Sequence, residues 1–186
     1  MSFLGGKLLI ASPDIGDDRF DKTVIYLCAH TEEGAMGLTI NKPLTGITFT
    51  DLLKQMHLLP ETDLLKTSPV IFAGGPMDII RGFVLHSAEY QSSTTLPLNP
   101  TTSLTVTADV LKEISVGNGP KRFLIALGYA GWKAGQLDDE LKQNAWLTVD
   151  ATAELLFDVP PDKKWEAAIK HIGIDPMFLS ATSGQA

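Results

Sequence analysis

Residues 23–41 read Thr-Val-Ile-Tyr-Leu-Cys-Ala-His-Thr-Glu-Glu-Gly-Ala-Met-Gly-Leu-Thr-Ile-Asn, and this stretch decides the fold class. Its first run, Thr23–His30, is rich in the β-branched and aromatic residues that are typical of strands. The turn signal Thr31-Glu32-Glu33-Gly34 separates it from a second run, Ala35–Asn41. Two strands joined by so short a loop form a hairpin, so this part of the sheet is predicted to be antiparallel.

Outward from this hairpin, predicted strands outnumber predicted helices. Further strands are expected at Lys7–Ala11, Val70–Ala73, Gly82–His86, Ser103–Thr107, Phe123–Leu127 and Ala145–Val149. Helices are expected at Thr48–Leu59, up to Val116, from Trp132 to about Asn144, and from Pro161 to Ile172. Residues 90–102, rich in Ser, Thr and Pro, predict a surface loop. This order favours an α+β fold with a mixed sheet over a doubly wound parallel one.

Length and composition predict one domain over residues 1–186, with a loose tail from about residue 180. The single cysteine, Cys28, excludes a disulfide scaffold and suits a reducing compartment. No stretch approaches the roughly 18 apolar residues that a spanning helix needs, and the first residues lack a basic leader. We therefore expect a cytoplasmic protein with no membrane association.

The charge pattern argues against direct binding of nucleic acid. Fifteen Lys and Arg residues stand against 22 Asp and Glu residues, giving a formal charge of −7. The basic residues are scattered, whereas nucleic-acid binding depends on a concentrated basic surface.

Familiar catalytic and cofactor motifs are absent from the sequence. It contains no dinucleotide fingerprint, no Walker-type loop and no Gly-x-Ser-x-Gly, and its four histidines lack metal-ligand spacing. We expect neither a cofactor nor a metal, and no catalytic set is assigned. Cys28, in the middle of a strand, is interpreted as a small core residue.

One predicted helix carries a polar series. Trp132, Gln136, Glu140 and Asn144 recur every four residues and would form one stripe. The stripe either faces solvent or lines a cleft, with Trp132 as its apolar wall.

Other predicted strands end in polar or glycine residues. These are His30, Asn41, the turn Gly74-Gly75-Pro76, Arg81 and His86. Our hypothesis brings them together with the polar stripe around one ligand-binding pocket. A strand-end histidine is nevertheless more often a structural hydrogen-bonding residue than a ligand or base.

A series of motifs resembles one bacterial family, YqgE/AlgH, over nearly the whole chain. The matching segments are Leu4–Ala11, Phe20–Leu27, His30, Gly34–Leu38, Asn41–Pro43, Gly74–Pro76, Arg81–His86, Leu127–Trp132, Gln136-Leu137, Glu140 and Asn144–Leu147. The resemblance implies a compact α+β fold with a bulged, barrel-like, largely antiparallel sheet and flanking helices. It implies no established biochemical activity, although the family label carries a link to transcriptional regulation.

Three functional hypotheses follow. The first is a non-catalytic module whose cleft binds a small polar ligand or a partner's loop through Trp132, Gln136, Asn144, Asn41 and Arg81. The second is a hydrolase or transferase that uses His30 or His86 as base with Glu140. The third is a transcriptional regulator that acts through a partner. The oligomeric state is left open.

Overall fold

The computed structural model describes residues 3–13, 15–59, 68–106 and 108–177. The predicted loose tail from about residue 180 lies outside the described residues. The elements, in chain order, are β1 (Lys7–Ala11), β2 (Val24–Thr31), β3 (Gly34–Thr39), α1 (Phe49–Gln55), β4 (Ile71–Ala73), β5 (Met77–Ser87), β6 (Thr95–Asn99), β7 (Thr102–Thr105), α2 (Asp109–Val116), β8 (Phe123–Lys133), α3 (Gln136–Lys142), β9 (Trp146–Asp150) and α4 (Pro161–His171). A 3-10 turn at Asp18–Phe20 and a π-helical turn at Glu154–Asp158 complete them.

The chain divides into two compact units. The first unit consists of the residues up to Lys42 and those from Ala130 onward, and the second is the segment Pro43–Tyr129. Strand β8 begins in the second unit and ends in the first. The single domain expected from chain length stays a prediction.

The first unit is built on antiparallel strands in the order β3-β2-β1-β9, and the last residues of β8 pair with β3. Strands β1 and β2 are almost wholly buried where they pair, as their apolar runs predict. On α4, the indole N–H of Trp165 donates to the carbonyl of Ala11, which ties this helix to β1 at 2.9 Å. The core consists of Leu9, Ala11, Ile25, Leu27, Ala130, Trp132, Leu137 and Trp146.

The second unit has strands in the order β6-β7-β5-β8, all antiparallel, with β4 running parallel to β8 on its other side. Helices α1 and α2 supply apolar side chains to its core. That core consists of Phe49, Leu52, Leu53, Ile71, Val84, Val110, Leu111, Ile114 and Ile125.

The predicted fold class is confirmed: the protein is α+β with a mixed, largely antiparallel and bulged sheet. The decisive hairpin is also confirmed, with β2 and β3 paired from Ile25 and Thr39 to Thr31 and Gly34. Among the described residues, no helix is both long enough and apolar enough to cross a bilayer.

Helix α1 begins where the sequence predicts and ends earlier. Thr48 and Asp51 form the expected capping box, in which each side chain bonds the other's backbone N–H. The helix was expected to continue to Leu59, but His57 has a φ of 56° and the Leu58 N–H returns to the Leu53 carbonyl. A left-handed residue with this return bond closes a helix, so Met56 and Leu59 are exposed instead of packed.

The helix expected from Trp132 is wrong at its start. Strand β8 continues to Lys133 because Ala130–Lys133 pair with β3, and α3 begins only at Gln136. Of the glycines that suggested a strand end, Gly131 pairs regularly with Met36 and Gly128 lies opposite a bulge. Gly128 has a φ of 77°, which lets the strand continue past the irregularity.

The loop expected at residues 90–102 is also wrong, because β6 pairs with β7 there. The hydroxyls of Thr95 and Thr105 lie 2.9 Å apart across this pair. Strand β6 is the last in its sheet, where Pro97 is tolerated because the missing N–H faces no further strand. The low apolar content that suggested a loop therefore reflects a polar edge strand.

Candidate functional site

The Glu140 carboxylate joins two tryptophans in the first unit. Its Oε2 accepts from the indole N–H of Trp132 at 2.9 Å and from that of Trp146 at 2.7 Å. Its Oε1 accepts from the amide of Gln136 at 2.9 Å. The two indole rings, one on β8 and one on β9, meet edge to face.

This cluster satisfies its own polar groups. Trp132 is buried with its ring beside Gly37, where a Cβ would lie 3.5 Å from the ring and only 2.5 Å from Ile25. The side-chain oxygen of Gln136 accepts from the Lys133 N–H at 3.1 Å. The structure thus brings together three members of the predicted stripe, although they come from a strand and a helix. Their contacts are with one another and the backbone.

Two predicted asparagines have different settings. The side chain of Asn41 accepts from the Val24 N–H and donates to the Lys22 carbonyl, both at 2.8 Å, and is buried. It therefore holds the β2–β3 end of the sheet. Asn144 follows α3 with a φ of 57° and is exposed. It does not share a helix face with Trp132.

His30 faces a carboxylate, but not the one that was predicted. Its Nδ1 accepts from the Leu4 N–H at 3.3 Å, so in the neutral ring the proton is on Nε2. That nitrogen lies 3.6 Å from Oδ2 of Asp138, an ion-pair distance that is longer than a hydrogen bond. Only 3% of the His30 side chain is exposed, against 20% for Asp138. A substrate would therefore meet Asp138 before His30.

In the second unit, His86 is fully buried within a chain of hydroxyls. Its Nδ1 lies 2.9 Å from the Ser87 carbonyl, which can only accept, so Nδ1 carries the proton. Nε2 then accepts from the Thr105 hydroxyl at 2.9 Å, and Thr105 in turn accepts from Thr95. Burial lowers the pKa of His86 below its ordinary value, so the ring is neutral at pH 7.

These contacts alter the hydrolase hypothesis. Glu140 bonds two indoles and an amide, and in the described part of the chain no carboxylate pairs with His86. Burial raises the pKa of Cys28 to about 12, so its thiol is not a nucleophile at neutral pH. Within the described residues, no group of three or more His, Cys, Asp or Glu could hold a metal ion. The proposed pairing of either histidine with Glu140 is absent from this geometry.

The remaining predicted residues belong to an irregularity that sequence reasoning missed, with Gly74 and Gly75 before it and Arg81 within it. Met77 pairs with Tyr129 and Gly82 pairs with Leu127, so residues 78–81 stand opposite Gly128 alone. We call residues 78–81 the β5 bulge. The carbonyls of Gly75 and Met77 come so close to Gly128 that a Cβ there would lie 2.5 Å and 3.0 Å from them. The absence of a side chain at Gly128 therefore permits this close approach of the two strands.

The β5 bulge exposes large apolar side chains. Ile80 is 88% exposed, Ile79 67% and neighbouring Met77 49%. Arg81 lies with its guanidinium 5.6 Å from the centre of the Phe83 ring, and it makes no ion pair with any described residue. Two adjacent isoleucines before an arginine, directly after a Gly-Gly-Pro turn, are the sequence signal that could have marked this surface.

An apolar recess lies beside the β5 bulge. The space that it offers to water-sized groups is about 50 Å³, and every residue lining it is apolar. Phe83, Leu111, Ile125 and Leu127 contribute to its lining from the core side, and Ile80 and Met56 stand at its mouth, where they are exposed. The early end of α1 is what leaves Met56 exposed at this position.

The family of the chain can now be stated. A model of the AlgH-like family matches residues 8–177. A UPF0301 protein of Rhodospirillum rubrum is 50% identical over 184 residues, covering 99% of this chain and 95% of the relative. One from Jannaschia is 49% identical over 185 residues, covering 98% and 95%. The chain therefore belongs to the AlgH-like family of bacterial proteins, which confirms the resemblance drawn from its motifs.

Two solved structures share the fold. The solution structure of the AlgH protein from Pseudomonas aeruginosa is 42% identical, with a TM-score of 0.80, and the match covers 100% of this chain and 95% of that one. A crystal structure of a protein from Corynebacterium diphtheriae is 19% identical, with a TM-score of 0.72, covering 100% and 94%. The second likeness concerns the fold alone.

Proposed function

We propose that this protein is a non-catalytic, cytoplasmic binding module that contacts a protein partner through the β5 bulge and the apolar recess. The observation that carries the proposal is the exposure of Ile79 and Ile80 on the bulge that stands opposite Gly128. A contiguous exposed apolar patch beside a recess is typical of an interaction surface. The cytoplasmic location rests on the single, unpaired cysteine.

The other predicted residues support a non-catalytic role by what they already bond. Both carboxylate oxygens of Glu140 have hydrogen-bond partners, as do the amide oxygen and nitrogen of Asn41. His86 is buried and neutral. A ligand would have to break these bonds to use the groups. The β5 bulge and the recess present apolar surface that has no such competing partners.

The experiment places a photo-crosslinking amino acid at position 80 or, as control, at position 96 and irradiates living cells. Leu96 is the matched control because it is also a large, exposed apolar residue in the same unit, on β6. We expect a discrete protein adduct from position 80 and none from position 96. Equal adducts at both positions, or none at position 80, would contradict the proposal.

A further inference from the structure

From the same surface we infer that the partner segment carries one large apolar side chain, which enters the recess, next to an acidic residue, which pairs with Arg81. This inference rests on the proposed function and names the chemistry of its partner. Three features support it: the apolar lining of the recess, the position of Arg81 beside it, and the net charge of the chain.

The recess selects an apolar anchor. Its lining offers no side-chain hydrogen-bond donor or acceptor, so a polar group that entered would lose its hydration without compensation. With about 50 Å³ of space for water-sized groups, the recess suits one side chain rather than a large cofactor. Ile80 and Met56 at the mouth can cover the anchor as it enters, and methionine adapts readily to different shapes.

Arg81 selects the neighbouring charge. Its guanidinium lies over Phe83, a residue that also lines the recess, so the cation is next to the apolar opening. Because no described carboxylate pairs with it, all of its hydrogen-bond donors are free to meet a carboxylate on the partner. An acidic residue beside the anchor is thus the complementary chemistry.

The observations favour a peptide over a lipid surface. A recess receives a single inserted side chain, whereas a bilayer presents a continuous apolar layer behind many anionic headgroups. The formal charge of −7 on the chain opposes approach to a layer of many anionic headgroups much more than to a single acidic residue. A second copy is the remaining rival, because the segment Met77–Arg81 itself contains apolar residues next to Asp78.

The test pans a display library of random short peptides on the wild-type protein and on three variants. These are Arg81→Glu, the double variant Ile79→Ser/Ile80→Ser, and Leu96→Ser as control. All four positions are exposed, so the variants are expected to fold, and urea denaturation checks this. We expect wild type and Leu96→Ser to enrich peptides with Leu, Ile or an aromatic residue beside Asp or Glu. Arg81→Glu should enrich Lys or Arg in the place of the acid.

Binding of one enriched acidic peptide gives the magnitudes. We expect Arg81→Glu to weaken it about five-fold, the usual size of an exposed charge pair. The double serine variant should weaken it by more than about ten-fold through lost apolar contact. If the double variant loses the peptides but Arg81→Glu keeps the same acidic preference, the inference is wrong and the proposed function survives. If wild type enriches nothing beyond the double variant, the proposed function fails as well.

Two further measurements test the other possible occupants of the recess, a second copy of the chain and a lipid surface. Sedimentation velocity of the protein alone tests for a second copy, and co-sedimentation with phosphatidylglycerol vesicles tests for a lipid surface. Self-association or vesicle binding that the double serine variant abolishes would overturn the assignment to a peptide. A wild-type protein that is monomeric, stays off vesicles and binds the acidic peptides supports it.

Discussion

Glu140 shows how one carboxylate can organise a core. Two indole N–H groups from β8 and β9 converge on the same oxygen, within an aromatic cluster in which Phe20 also packs edge-on against Trp146. Hydrogen bonds to a charged acceptor are stronger than neutral ones. The tryptophans therefore meet at a fixed angle, and α3 is held to the sheet by its acidic residue.

Replacing this carboxylate should destabilise the protein more than replacing the amide that contacts it. Glu140→Gln keeps the shape and removes the charge. With the amide oxygen in the place of Oε2, both indole bonds weaken, and the Gln136 amide loses the acceptor that Oε1 provides. We expect a loss of about 2 kcal/mol in the free energy of unfolding. Gln136→Ala, at an exposed position, should cost less than about 1 kcal/mol. Urea denaturation followed by tryptophan fluorescence measures both, and equal losses would contradict the role assigned to Glu140.

His86 gives the fold a sensitivity to acid. Burial lowers its pKa in the folded protein, so the unfolded chain binds a proton first as the pH falls below about 6.5. The stability that the neutral ring contributes is complete above that pH and is lost as the pH falls towards the lower, folded pKa. The slope cannot exceed about 1.4 kcal/mol per pH unit for one group.

The prediction is that His86→Gln flattens this dependence. The free energy of unfolding of the wild type should fall more steeply than that of the variant between about pH 7.5 and about pH 5. This range brackets the ordinary histidine pKa. His57→Asn is the control, because His57 is exposed and asparagine tolerates its left-handed backbone. A wild-type slope shared by His86→Gln would show that other groups carry the acid sensitivity.

At the scale of elements, the contact of Gly74 with β8 fixes where the β5 bulge lies. The Gly74 N–H donates to the Leu127 carbonyl at 2.7 Å, and a Cβ on Gly74 would lie 2.2 Å from the Gly128 carbonyl oxygen. No side chain can be accommodated at that distance without moving a strand. The geometry of β4, β8 and the β5 bulge thus depends on the absence of a side chain at Gly74.

Gly74→Ala should therefore disrupt the second unit, and Gly82→Ala should not. At Gly82 the nearest atom to an added Cβ is the end of the Leu127 side chain at 3.8 Å, an ordinary contact. We expect Gly74→Ala to lose about 3 kcal/mol or more, through backbone displacement, and Gly82→Ala to stay within about 1 kcal/mol of wild type. Thermal unfolding followed by circular dichroism compares them. A Gly74→Ala protein as stable as Gly82→Ala would mean that β4 can move away from β8 without loss of stability.

The elements that sequence predicted best are those whose signal is local. The β2–β3 hairpin has two apolar runs and a short turn, and the start of α1 has a capping box. The errors at Trp132 and at residues 90–102 came from pairing with distant strands, which a local pattern does not contain. Strand β8 continues beyond Gly128 because its last residues pair with β3.

The candidate site was harder to predict than the fold for the same reason. Spacing of four residues did place Gln136 beside Glu140, but the partner Trp146 lies on another strand. The buried Lys164 gave no sequence signal either, although its amine donates to the Leu156 carbonyl and burial lowers its pKa to about 8. Exposure of Ile80 depends on the register between β5 and β8, which the sequence of β5 alone does not reveal.

For the whole molecule, the two units differ in what they leave available. In the first unit, Asn41, Gln136 and Glu140 bond other residues of the protein, Asn144 is exposed, and His30 is nearly closed off behind Asp138. In the second unit, an apolar recess, two exposed isoleucines and an arginine that no described carboxylate pairs with adjoin one another. We propose that this surface of the second unit is the binding site of the protein.

Binding of 8-anilinonaphthalene-1-sulfonate to the folded protein tests that claim most directly, because this dye combines an apolar body with one anionic group. We predict one saturable site in wild type and in Leu96→Ser, weakened in Arg81→Ala and lost in Ile79→Ser/Ile80→Ser. Fluorescence titration under conditions where all four proteins are folded gives the comparison. Dye binding that is absent from wild type, or equal in all four proteins, would contradict the account.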